Sequence, residues 1–333
     1  MTQSQEILTE KKFKMPDDDL NMGLKKPIFI IGLHRSGSTM WANIIAKNPK
    51  ILRIGEIYFI APLKNDFKYF CSKFIGDLSE DKNIEKMINL IFQNNGGVKL
   101  AGSFCSTLVR RVNSPYLKER LYKRIYESDR SLEAIFCALI EEITIFKGFR
   151  RCCVKFPVEF NQISELLKWY PECKIIHITR DPRATCVSRI NYPGGRHKKI
   201  IKQYPASGPI TRKLHLIYVS MEYILTSFIH LQYASHQNYK LFRYEDLLVN
   251  PQKTIKELCG FADLEYHPNM LVPGEGQPSS ITGKASRLID IKNNFHWKSK
   301  ITPIENLMIL LLTKSSMGRL GYNPQKHPIA KYQ

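Results

Sequence analysis

The residues of this chain best placed to do chemistry stand in one short stretch, Gly32-Leu33-His34-Arg35-Ser36-Gly37-Ser38-Thr39. Two glycines bracket it, hydroxyl side chains fill its end, and it contains one cation. The apolar run Pro27 to Ile31 leads in and a helix-like pattern follows through Ile45, which predicts a buried strand, a tight loop and a helix start. Such a turn converges backbone N–H groups and the positive end of a helix dipole on one point, a cradle for phosphate-like anions. The spacing is close to that of a nucleoside triphosphate loop, but the position after the second glycine is Ser38 rather than lysine. The nearest cation is Arg35, at the mouth of the loop.

A second constellation follows. Cys173 to Thr179 reads as another buried strand, and it delivers Arg180 at its carboxyl end, where ligands of open α/β sheets bind. Pro182 starts a helix by the first-turn proline rule. Ser188 lies eight residues beyond Arg180, about two turns along that helix. An arginine and a helix-borne hydroxyl can clamp a phosphate by charge-assisted hydrogen bonds.

The loop and the Arg180…Ser188 pair, in this order, resemble the two nucleotide-binding segments of sulfotransferases that use 3′-phosphoadenosine 5′-phosphosulfate (PAPS). The Arg-Ser-Gly-Ser-Thr version of the loop is similar to that of protein tyrosine sulfotransferases and their bacterial relatives. Val154-Lys155-Phe156-Pro157, Phe242-Arg243-Tyr244-Glu245-Asp246-Leu247 and Trp297-Lys298 extend the likeness over about residues 27–320. The resemblance implies that Ser36, Gly37, Ser38 and Thr39 hold the 5′-phosphate, with Arg35 and Lys155 stabilising charge on the sulfuryl group. It implies that Arg180 and Ser188 take the 3′-phosphate and that Tyr244 contacts the nucleotide. It places the catalytic base at Glu56, a Glu preceded by Gly55 at a strand end, twenty-one residues past Arg35; His34 is the other candidate. Donor and product are then PAPS and 3′,5′-adenosine diphosphate, with no metal required.

Two features depart from the tyrosine-specific pattern. Ile57-Tyr58 follows Glu56 where an acidic and a basic residue are usual, and Tyr192 stands where an extra arginine is found. The acceptor is therefore left as the hydroxyl of a small molecule, glycan or peptide. Two other function classes stay open: an ATP- or GTP-dependent kinase, against which the missing loop lysine argues, and a non-catalytic nucleotide- or glycan-binding protein of the same fold.

The elements that must position these residues alternate. Strands are expected at Pro27–Ile31, Arg151–Phe156, Cys173–Thr179 and Tyr239–Phe242. Helices are expected at Ser38–Lys47, Asn161–Trp169, Pro182–Ile190, Thr211–Tyr233, Pro251–Phe261 and Pro303–Met317. That order predicts a P-loop-like, three-layer α/β fold with a mostly parallel sheet. A flexible arm is expected over 1–24 and a single domain over 25–325. Within it, a helical insertion (59–150) and a turn-rich loop (266–300) are expected to shape the acceptor pocket.

Composition sets the outer limits. The 333 residues carry 50 Lys+Arg against 30 Asp+Glu, a formal charge of +20, and 43% hydrophobic residues. This balance suits a large globular core and an anionic partner. The cations are scattered in short clusters with no nucleic-acid-binding signature, so a charged cofactor fits better than nucleic acid. The eight cysteines form no C-x-x-C pair or metal spacing, and mostly apolar surroundings predict buried thiols. The polar start lacks a signal-peptide core, and no apolar run reaches the length of a membrane span; a cytoplasmic protein without a transmembrane segment is expected.

Overall fold

The computed structural model describes residues 23–56, 71–92, 114–157, 162–192, 202–203, 208–272, 289 and 297–323. Five strands, β1 (Ile28–Gly32), β2 (Ile51–Glu56), β3 (Arg151–Pro157), β4 (Lys174–Thr179) and β5 (Tyr239–Arg243), form one sheet in the order β2-β3-β1-β4-β5. β2 pairs parallel to β3, and β4 parallel to β5. The helices are α1 (Ser38–Ile45), α2 (Asp81–Phe92), α3 (Pro115–Tyr126), α4 (Leu132–Phe146), α5 (Ile163–Trp169), α6 (Pro182–Ile190), α7 (Gly208–Tyr233), α8 (Tyr244–Val249), α9 (Pro251–Phe261) and α10 (Pro303–Arg319). This is a P-loop-like α/β fold with a mostly parallel sheet.

The expected strands and helices appear close to their sequence positions. β2, expected only as a strand end at Gly55-Glu56, runs over Ile51–Glu56, and its register against β3 shifts between Arg53 and Gly55. α1 ends at Ile45, two residues before the expected Lys47, capped by Ala46. The expected arm up to residue 22, and 57–70, 93–113, 273–288 and 290–296 of the insertion and the late loop, lie outside the described residues.

The chain divides into two compact units, residues 1–29 with 49–174, and 30–48 with 175–333. The first packs an aromatic core: Phe29 lies 5.6 Å from Phe156 and 5.9 Å from Tyr170, and Phe136 lies 5.3 Å from Trp169. All but Trp169 of these rings are fully buried, so dispersion and area burial favour a fixed arrangement. Two buried carboxylates on α4 are satisfied rather than stranded. Arg124 reaches Glu141 at 2.5 Å, Arg120 reaches Glu142 at 2.6 Å, and the Tyr170 hydroxyl donates to Glu141 at 2.8 Å.

In the second unit, Cys186 and Ile190 of α6, Leu216 and Val219 of α7 and Ile309 of α10 make one cluster. α10 starts with a capping box: Glu305 N–H donates to Thr302 Oγ1, and Thr302 N–H donates to the Glu305 carboxylate. His177 of β4 is buried against Tyr239 of β5, their polar atoms 2.5 Å apart, and His230 of α7 approaches the same hydroxyl at 3.2 Å. Burial pushes the His177 pKa down to about 3.

No disulfide joins the described cysteines, and burial pushes the thiols of Cys152, Cys153 and Cys186 up to about 12. Cys105 lies outside the described residues. By length and composition α7 could cross a membrane, a feature split in the sequence by its polar inward face; only a third of its most apolar window is buried in the protein.

Candidate functional site

The site is built at the carboxyl ends of β1 and β4. β1 is buried throughout and ends at Gly32 (φ 152°). A Cβ at Gly32 would collide with the carbonyl of Ile178, so only glycine lets the loop leave the sheet this close to β4. The turn closes with Ser36 N–H donating to the Leu33 carbonyl at 3.0 Å. Arg35 is held at φ 74°, the left-handed region that non-glycine residues avoid. Strain of that kind persists where the surroundings over-determine it, and it collects at ligand sites.

Gly37 (φ 98°) is the N-cap of α1. A Cβ there would collide with the ring of Tyr244, the first residue of α8. Thus the loop and the β5–α8 corner close on each other with no room for a side chain between. Ser38 and Thr39 open α1, whose N–H groups and dipole face the loop. Ser36 Oγ is buried with no hydrogen-bond partner among the described residues. A buried hydroxyl in that state costs free energy until an acceptor or donor arrives.

Arg35 and Arg180 come together here. Arg35 Nε donates to Ser188 Oγ at 3.2 Å, and Arg180 Nη1 donates to the Arg35 carbonyl at 3.4 Å. The Arg180 guanidinium lies 4.4 Å from the centre of the Tyr244 ring, and that of Arg35 lies 5.0 Å from the Tyr192 ring. Burial, and then the neighbouring Arg180 charge, push the Arg35 pKa down. Two guanidiniums brought together against mutual repulsion, over an α-helix N-terminus, form a receptor for a multivalent anion. A phosphorylated nucleotide fits this donor set, including the orphaned Ser36 hydroxyl.

The support beneath the two arginines was not legible in the sequence. Asp181 caps α6 by accepting from Arg183 N–H at 2.9 Å, and the Arg183 side chain returns to the same carboxylate at 2.9 and 2.6 Å. Glu245, fully buried, accepts from Asp181 N–H at 3.0 Å and from the Tyr322 hydroxyl at 2.7 Å. Burial, and then the Asp181 charge, push the Glu245 pKa up to about 7. Arg183 also lies 4.7 Å from the Trp297 ring. Pro182 alone marked the helix start in the sequence; the Asp181 cap was not read there, and the closure through Glu245 and Tyr322 spans 77 residues. The stacking of Tyr192 on Arg35 was likewise missed; only its aromatic type, four residues past Ser188, was visible.

Ser36, Gly37, Ser38, Thr39, Arg35, Arg180, Ser188 and Tyr244 therefore all fall in the second unit and surround one loop. Arg35, assigned by sequence to the sulfuryl end of the donor, and Ser188, assigned to its 3′-phosphate, touch. In the first unit, Glu56 ends β2 in register with Lys155 of β3, and Lys155 is buried. The Glu56 side chain lies outside the described residues. No group of three or more candidate metal ligands occurs among the described residues.

The family model described as "Sulfotransferase family" matches residues 27–268, which includes the loop, Glu56, Lys155, Arg180, Ser188 and Tyr244. No curated protein shows a significant match to the chain. Among solved structures, a sulfotransferase domain from the curacin biosynthetic pathway is 19% identical with a TM-score of 0.55, covering 90% of this chain and 98% of that one. A sulfotransferase domain from the Synechococcus PCC 7002 olefin synthase is 15% identical (TM-score 0.49; 91% and 97% covered). Mouse sulfotransferase SULT7A1 complexed with PAP is 11% identical (TM-score 0.40; 97% and 93% covered). At 19% identity the first of these likenesses is one of fold. The family match spans most of the chain and every candidate site position, and this chain belongs to the sulfotransferase family.

Proposed function

We propose that the protein transfers a sulfuryl group from PAPS to an acceptor hydroxyl. The observation that carries this reading is the meeting of Arg35 and Arg180 over the Gly32–Thr39 loop, with Ser188 hydrogen-bonded to Arg35. A site with two arginines suits a ligand with two separate phosphate groups on one nucleoside. PAPS, when bound, supplies a sulfuryl group on a phosphate leaving group that departs readily without a metal.

The chain's own residues then have distinct tasks. Backbone N–H groups of Gly37, Ser38 and Thr39 bind the 5′-phosphate, and the Ser36 hydroxyl, its own N–H held by the Leu33 carbonyl, gains a partner there. Arg180 and Ser188 bind the 3′-phosphate, the group that separates this nucleotide from ATP. Tyr244, already stacked on Arg180, holds that guanidinium in place. Arg35 and Lys155 stabilise negative charge that builds on the oxygens as the bond to sulfur lengthens. Loss of one such stabiliser costs about 3 kcal/mol. Glu56 takes the acceptor's proton, with His34 the alternative base.

The test is thermal stabilisation of the full chain by 3′,5′-adenosine diphosphate compared with ATP plus magnesium, followed by transfer from radiolabelled PAPS to a panel of hydroxyl acceptors. A larger shift with 3′,5′-adenosine diphosphate is expected. A larger shift with ATP plus magnesium overturns the reading in favour of a kinase.

A further inference from the structure

Helices α7 and α10 run parallel, side by side. Arg212 near the start of α7 pairs with Glu305 near the start of α10 at 2.5 Å. Leu216 and Val219 meet Ile309 midway, and Arg319 near the end of α10 lies 4.7 Å from the ring of Phe228 near the end of α7. The inward side of α7 also buries Ser220, Tyr223, Thr226 and Ser227. A helix with its polar side tied into the fold lies along the protein and does not cross a bilayer.

The outward side is apolar. On α7, Ile210, Leu214, Met221, Leu225 and Phe228 return every three, four or seven residues, on one stripe at 100° per residue, and Leu214 and Leu225 are 61% and 58% exposed. On α10, Ile304, Leu307 and Leu311 continue that surface, with Leu311 73% exposed. Exposed apolar side chains on this scale, set out in helical stripes rather than scattered singly, mark a surface that meets a partner.

The charges around the stripe decide what it meets. α7 and α10 contain two carboxylates, Glu222 and Glu305, and both are tied to arginines, Glu222 to Arg189 and Glu305 to Arg212. Lys213 and Lys314, both exposed, flank the stripe, and so does Arg319. A second copy of this chain would bring the same lysines and the same +20 formal charge to the contact. An anionic lipid surface complements both the apolar stripe and its basic border.

We propose that the α7–α10 face docks the protein peripherally on an anionic bilayer, with both helices lying flat and the leucine stripe in the headgroup–acyl boundary. The docking uses no nucleotide and stands apart from the transfer reaction. The test is co-sedimentation of the purified full chain with vesicles of equal parts phosphatidylcholine and phosphatidylglycerol, against phosphatidylcholine alone. Binding to the anionic vesicles is expected, weakened by salt, and reduced about tenfold or more by L214E/L225E. K213E/K314E reads the same face through its charges, and keeps the test decisive if the leucine variant fails to fold; it is expected to reduce binding severalfold. Absence of binding to anionic vesicles, or binding indifferent to both variants, overturns the proposal. So does a concentration-dependent dimer in sedimentation velocity that L214E/L225E returns to monomer, since the face would then pair two copies.

Discussion

Arg35 Nε donates to Ser188 Oγ at 3.2 Å, joining the loop after β1 to a helix that begins nearly 150 residues later. The bond fixes the guanidinium beside that of Arg180, whose own Nη1 donates to the Arg35 carbonyl. Replacing Arg180 by Ala should weaken binding of 3′,5′-adenosine diphosphate by about 2 kcal/mol, roughly thirtyfold, through loss of a charged contact. S188A should weaken it less, and adenosine 5′-monophosphate should discriminate poorly between the wild type and R180A. Calorimetric titration of the three proteins checks this; equal losses for both nucleotides in R180A would remove the 3′-phosphate from its assigned place.

Gly37 has no space for a side chain, because Tyr244 occupies it, and its φ of 98° disfavours one in any case. G37A is expected to cost at least about 1 kcal/mol of stability and to abolish detectable nucleotide binding. Trimming the ring should return part of the stability, so that G37A/Y244A is less destabilised than the sum of its parts. Denaturant midpoints of the four proteins make the cycle; strict additivity would argue against the collision.

Glu56 and His34 are separable as bases. E56Q is expected to lower the transfer rate by about a hundredfold or more while 3′,5′-adenosine diphosphate binds as before. H34Q should leave the rate within a few-fold. The reverse pattern in a single-turnover assay would move the base to the loop.

Two buried groups give stability opposite pH dependences. His177 has its pKa lowered from 6.5 to about 3, so below pH 6.5 the unfolded chain takes a proton that the native chain refuses, and stability falls as pH falls. Glu245 has its pKa raised from 4.5 to about 7, so the native chain keeps a proton that the unfolded chain loses, and stability falls as pH rises from 4.5 to 7. Between 4.5 and 6.5 the two slopes oppose each other. E245Q removes one of them, and its unfolding free energy should rise with pH there by up to about 1.4 kcal/mol per unit relative to wild type. Chemical denaturation at a series of pH values reads this directly, and parallel curves for the two proteins would refute it.

Arg183 neutralises a carboxylate with no exposed surface, Asp181. R183M leaves that charge buried without its ion-pair partner and is expected to destabilise the fold by about 3–5 kcal/mol. D181N/R183M should regain much of the loss. A double variant no more stable than R183M would show that the pair acts through shape alone.

What the sequence made legible follows from range. The loop, Arg180, Ser188 and the strands β1, β3, β4 and β5 are written in contiguous runs, and periodicity and turn chemistry read such runs well. Of β2 only the end at Gly55-Glu56 was read, because Arg53 interrupts its apolar pattern and Gly55 sits at a register shift against β3. The short α8 was hidden by its six residues, too few for a helical period. Tyr322 and Glu245, or Arg212 and Glu305, meet across 77 and 93 residues, and no local pattern encodes such pairings. The exposed stripe of α7 was missed for a different reason: apolar residues at helical spacing are read as facing a core, and here the polar side faces it.

The hydroxyl of Tyr239 has one proton to give and stands near the Nδ1 atoms of both His177 and His230. It can therefore donate to one ring at most. If both contacts are hydrogen bonds, at least one imidazole carries its hydrogen on Nδ1, the tautomer that is the minority form of free histidine in water. Nitrogen chemical shifts of these two rings would then differ from those of an exposed histidine at neutral pH, giving a resonance that reports on the closure of β5 against β4 and α7 without any ligand.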